Sequence, residues 1–101
     1  MPKLYEYFGL VVYFYANEHE PVHVHGNYQG REAKAGLVLR NGKVVAVRIT
    51  GVPGKRPLRG PKLKDFERLV KIKADDIVER WIDFFVKKRH NEPEVITRKL
   101  K

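Results

Sequence analysis

The 101-residue chain has no cysteine, which excludes disulfides, thiolate metal sites and thiol catalysis. It also has no uninterrupted apolar run long enough for a membrane helix, which needs about 18 or more residues. The opening Met1-Pro2-Lys3-Leu4-Tyr5-Glu6 lacks the apolar stretch of a secretory leader. The expectation is therefore a cytoplasmic protein with no membrane partner. Acidic residues are missing from the whole middle of the chain: Lys34 to Lys64 holds nine Lys or Arg and not one Asp or Glu. The flanking segments nearly balance, so the net charge of +9 originates in that stretch. Such a run is either a solvated surface or a patch for nucleic acid or another polyanion, because unopposed cations create a local field.

What is present reads as β-hairpins followed by helices. Leu4 to Phe8 and Leu10 to Tyr15 are dense in aromatic and β-branched residues, with Gly9 as a turn or bulge between them. Tyr5, Tyr7, Tyr13 and Tyr15 could stack on bases or could line a core. Asn17 to Pro21 breaks the pattern as a loop, and Val22 to Tyr28 resumes as a strand. Arg31 to Leu39 alternates, with Ala33, Ala35, Leu37 and Leu39 on one face, and Asn41-Gly42 supplies a two-residue turn into Lys43 to Thr50. A regular hairpin of that kind sets Arg40 against Lys43 and Val38 against Val45. It places Val45, Val47 and Ile49 on the face opposite Leu37 and Leu39, so both faces are partly apolar and the hairpin is expected at the sheet centre or against a partner chain.

Gly51 to Gly60 is too rich in Gly and Pro for regular structure. Pro61 then suits a first helical turn, and Leu63, Phe66, Leu69 and Val70 recur at helical spacing. Asp75 or Asp76 can cap a second helix whose apolar stripe is Ile77, Val78, Trp81, Ile82 and Phe85. Lys87, Lys88 and Arg89 complement its dipole, and His90 reads as a cap near its end. Glu94 to Leu100 adds a short strand or a tail. The whole predicts a single α+β domain: an antiparallel sheet of about five strands with two C-terminal helices packed on one face. Its regions are hairpins over 1–50, a basic loop over 51–60, helices over 61–90 and a tail or strand over 91–101.

Three histidines and two glutamates fall within Glu18 to His25. On a strand His23 and His25 point to one side and Val22 and Val24 to the other. The pair, with His19, Glu18 or Glu20 nearby, could hold a metal ion, could perform general acid–base chemistry, or could satisfy turn and strand backbone. A divalent metal is not the favoured cofactor among these, and no cofactor is specified.

The aromatic strand ending Tyr13-Phe14-Tyr15, the Asn17-Glu18-His19-Glu20-Pro21 segment and Val22-His23-Val24-His25 together resemble the bacterial "domain of unknown function 4160" family. Val22 stands where that family has a second proline. The resemblance is tight over about the first quarter of the chain and afterwards follows only the plan of strands before helices and the Trp81 region. It implies a shared site made of Glu18, His19, His23 and His25, and an arrangement similar to toxin–antitoxin pairs, with a small cognate antitoxin-like protein as partner. It implies no reaction. Two expectations follow. One is a small basic toxin-like module that binds and cleaves RNA, with Arg40, Lys43, Arg48, Lys55, Arg56 and Arg59 holding the backbone and the histidines moving protons. The other is a non-enzymatic protein-interaction module whose histidine loop is structural.

Overall fold

A computed structural model describes residues 2–16, 21–89 and 91–100. The first half is a run of five strands, each pairing antiparallel with the one before it. Strands β1 (Lys3–Tyr7) and β2 (Leu10–Tyr13) pair antiparallel, β3 (His23–Tyr28) joins β2, and β4 (Arg31–Arg40) joins β3. Strand β5 (Lys43–Gly51) returns along β4 and forms one edge of the sheet. All three two-residue turns, Phe8-Gly9, Gln29-Gly30 and Asn41-Gly42, carry positive φ at both positions. That geometry matches the right-handed twist of the strands they join.

Two short strands enlarge this antiparallel sheet. Strand β6 (Arg56–Pro57) runs parallel to β4 beyond the end of β5, and β7 (Glu94–Ile96) runs parallel to β1 at the far edge. The sheet therefore has seven strands where about five were expected, ordered β5-β4-β3-β2-β1-β7 with β6 beside β4. The supposed loop at 51–60 contributes β6 because Leu58 is buried and its N–H donates to the Glu32 carbonyl, which holds the chain against the sheet.

Helix α1 (Gly60–Ile72) has Pro at its start and buries Phe66, Leu69 and Val70; α2 (Ala74–Trp81) buries Ala74, Ile77 and Trp81. Asp75 and Asp76 do not cap α2. Lys73 occupies the cap position without a side-chain bond, and both aspartates lie in the first turn, where they favour the positive end of the helix dipole. The chain continues from Trp81 into a π-helical turn, Ile82–Val86. Within the described residues, no helix is long and apolar enough to cross a membrane.

The helices cover one sheet face. Paired residues of an antiparallel ladder share a side, so Val12, Gly26 and Ala33 form one row beneath them and Val24, Ala35 and Ile49 another. Gly26 is required here: a Cβ would lie 2.5 Å from the Phe66 ring, so only hydrogen lets α1 approach this closely. On the β1 side, the Tyr5 hydroxyl donates to Asp76, and Arg80 Nε donates to the same carboxylate at 2.8 Å. Burial alone would raise the Asp76 carboxyl; the hydrogen bonds from Tyr5 and Arg80 reverse this and hold it below the usual carboxylate range. This clamp ties α2 to β1.

The β4–β5 hairpin departs from the regular register. Arg40 does face Lys43, but Val38 faces Ala46 because Val45 is an extra, bulged residue. Beyond the bulge Val47 faces Leu37 and Ile49 faces Ala35, so both sit on the helix side with the core rather than opposite it. One inserted residue reverses the sidedness of a strand, since side chains alternate with period two. The hairpin thus has one apolar face, and it lies at the sheet edge rather than the centre.

Candidate functional site

The face without helices carries His23 and His25. Successive alternation on β3 sends both to this side, as the sequence spacing requires, and the ladder extends them into rows: Tyr13, His25, Lys34 and Thr50 across four strands, and His23, Gly36 and Arg48 across three. Both histidines are nonetheless buried, at 5% and 2% exposure.

The two rings are held differently. His23 Nδ1 lies 2.6 Å from the Pro21 carbonyl oxygen, which can only accept, so Nδ1–H donates. The His23 ring also packs against Trp81 at 5.5 Å between centroids, and Trp81 meets Phe14 edge-on at 5.2 Å and Phe85 at 4.3 Å. His25 Nδ1 lies 3.0 Å from Glu32 Oε2 and donates to that carboxylate, while the Tyr15 hydroxyl donates to the same oxygen at 3.0 Å. Tyr13 stacks on His25 at 5.8 Å and 18°, and Tyr15 meets the same ring edge-on at 4.3 Å. The Tyr13 hydroxyl is pushed far above its ordinary value by burial first, then by its hydrogen bonding with Tyr15 and Glu32. Glu32 itself is 1% exposed. A buried carboxylate is tolerated only when its acceptor capacity is met, and here Tyr15 and His25 meet it.

Glu32 is the residue that the motif reading missed. It lies seven positions from His25 in sequence, across a turn. Reading Gln29-Gly30 as a two-residue turn was the available signal: it sets Glu32 opposite Asn27 and hence diagonal to His25 on the same face. Glu18 and His19, expected in the same site, lie outside the described residues, as does His90. Within the described residues no group of three His, Asp or Glu side chains is placed to hold a metal ion. The tyrosines do not form a stacking platform: Tyr5, Tyr7 and Tyr13 are buried in the structure.

The expected phosphate-contacting cations separate into two groups. Arg40, Lys43 and Arg48 are exposed, and register places them on the helix-free face together with exposed Lys34. Gly36 leaves a shallow floor between His23 and Arg48, since a Cβ there would meet only the Arg48 carbonyl, 4.0 Å away. Arg56 instead pairs with Arg31, one position out of phase with the Glu32 side, and Arg59 sits at the start of α1. Lys55 is exposed in the turn preceding β6. The cations of β4 and β5 therefore share the histidine side, whereas Arg56 and Arg59 extend from the loop toward α1.

The fold and this site define a small basic α+β protein whose sheet is covered by helices on one side and presents cations around a buried histidine–carboxylate cluster on the other. The chain belongs to the family described as domain of unknown function 4160, whose model matches residues 9–82. The match spans the turn before β2, the histidine strand, the basic hairpin and both helices up to Trp81. No curated protein and no solved structure matches the chain.

Proposed function

We propose that this protein binds single-stranded RNA on the helix-free face of its sheet, with the histidine cluster serving as scaffold for that face. The observation that carries the reading is the distribution of charge across β3, β4 and β5. Lys34, Arg40, Lys43 and Arg48 project from one side, and the one carboxylate those strands place there, Glu32, is buried and bonded to Tyr15 and His25. Cations without exposed acidic neighbours attract phosphates and release counterions on binding. Gly36 keeps the surface between His23 and Arg48 open to a backbone.

Binding, rather than cleavage, is what these groups support. Phosphodiester cleavage needs an imidazole within hydrogen-bonding reach of a hydroxyl, and His23 and His25 are both buried. The toxin-like setting, with a small cognate partner in the cytoplasm, belongs to the same reading and contributes no residue to it. The test is a titration of a single-stranded RNA oligonucleotide at several salt concentrations. If each contacted phosphate contributes a log–log slope of roughly −0.7, then Lys34→Gln, Arg40→Gln and Arg48→Gln together should flatten the slope by roughly 2. Equal slopes for variant and wild type, or no binding at low salt, would remove the reading.

A further inference from the structure

We infer that the outer edge of β5 is a docking site for an extended, acidic segment of another protein, which adds a strand to the sheet. This inference does not rest on RNA binding, although Arg40, Lys43 and Arg48 enter both readings; it stands on the open backbone of the strand edge. Strand β5 ends the sheet order, and from Lys43 to Gly51 its side chains are largely exposed, including Val45 at 53%. An edge strand presents unpaired N–H and C=O groups to any chain that can lie beside it. Proteins blunt such edges with short strands, a covering loop or a bulge; here the bulge at Val45 protects only the turn-proximal part, and Ala46 to Gly51 continues as regular strand.

Beside this edge runs a groove between the strand and the α1–α2 junction, lined by Val44, Val45, Val47, Lys71, Ile72 and Asp75 among others. Ile72, the last residue of α1, lies off the buried stripe of Phe66, Leu69 and Val70 and is 47% exposed. An added strand would place alternate apolar side chains over Val45 and Ile72, and the intervening ones over the other sheet face beside Lys43 and Arg48. Those two cations, with Arg40 and Lys71, outnumber the single carboxylate of the groove, Asp75. The complementary strand therefore alternates apolar residues with Asp or Glu. A second copy of this chain is disfavoured, because pairing β5 with itself would bring Lys43 and Arg48 of both copies onto one small patch.

The probe is a blocked nine-residue peptide of alternating valine and glutamate, compared with its valine–lysine counterpart, against the isotope-labelled full chain. The glutamate peptide should slow amide hydrogen exchange along Ala46 to Thr50 and bind roughly tenfold more tightly than the lysine peptide, as expected for two favourable cross-strand charge pairs replacing two repulsive ones. The double variant Lys43→Glu with Arg48→Glu, both at exposed positions, should invert the preference toward the lysine peptide. Unchanged exchange along β5 with either peptide overturns the edge site. Binding without a charge preference, or a preference that survives the double variant, overturns the acidic partner. A peptide-free dimer in sedimentation that protects the same amides assigns the edge to a second copy instead.

Discussion

The two faces of this sheet are built on opposite terms. Under the helices the side chains are small or apolar and fit closely, to the point that Gly26 has no space for a methyl group beside Phe66. Among the described residues of the other side, burial centres on one patch, where Tyr13, His23, His25 and Glu32 are shielded by aromatic rings, His25 bonded to Glu32 and His23 to the Pro21 carbonyl, while Lys34, Arg40, Lys43 and Arg48 stand exposed around it. The first face derives its stability from excluded water and packing. The second derives it from polar groups that are acceptable only as a complete set. Damage to the two should therefore differ in kind, and the following expectations use that difference.

The largest loss belongs to the residue that serves both sides. Trp81 packs on Phe14 and on His23, and Trp81→Ala should cost about 3–5 kcal/mol in chemical denaturation through lost burial and a cavity. Gly26→Ala should cost about 1–3 kcal/mol by overpacking alone, and pairing it with Phe66→Leu should recover part of that loss. On the polar patch, Glu32→Ala strips the acceptor from Tyr15 and His25 and should cost about 1–3 kcal/mol. Glu32→Gln keeps an acceptor oxygen and should cost less; equal losses from both would mean that the carboxylate's charge, not its bonding, matters.

Titration reaches groups on both sides. The Tyr13 and Tyr5 hydroxyls are both raised, chiefly by burial, so the folded state holds their protons where the unfolded state would release them. A group raised on folding contributes stability below its unfolded value, about 10 for tyrosine, and that contribution declines as pH rises beyond it. Stability should therefore begin to fall near pH 10, and Tyr13→Phe or Tyr5→Phe should each make that fall shallower. Asp76 runs the other way. Its lowered carboxyl contributes stability above the unfolded value near 3.8 and loses it as pH falls through the folded one, so Asp76→Asn should flatten the acid limb; because the Asp76 carboxylate also helps to raise the Tyr5 hydroxyl, the alkaline limb should become shallower by a smaller amount. Smallest of all, Lys34→Gln with Arg48→Gln should alter stability by no more than about 0.5 kcal/mol, since both side chains are exposed and neither holds a buried partner.

Much of the helix-covered side was legible in the sequence. The turn at Asn41-Gly42, the alternation of Ala33 to Leu37 and the stripe through Ile77 and Trp81 each follow from a local period, and a period survives folding. The common side of His23 and His25 was legible for the same reason. The remainder depended on long-range pairing. Nothing local marks Val45 as a bulged residue, yet the bulge decides that Ile49 faces the core and Arg48 the open side. Strands β6 and β7 are short, and each is held by one neighbour: the bond from Leu58 for β6, and pairing with β1 for β7. The role of Glu32 as the carboxylate behind His25 depends on a turn that the histidine motif does not contain.

The bulge also makes the β4–β5 hairpin unusually forgiving of a lost codon. Val45 has no partner on β4, so a chain lacking it could close the ladder with Leu39 still against Val44 and Val38 still against Ala46. Every side chain beyond that point would keep its present side of the sheet. Deletion within β3 has no such slack, because it would carry either the histidines or Val24 and Gly26 to the wrong face. In homologues of this chain, a one-residue gap is therefore expected to fall at position 45 far more readily than anywhere between 23 and 28.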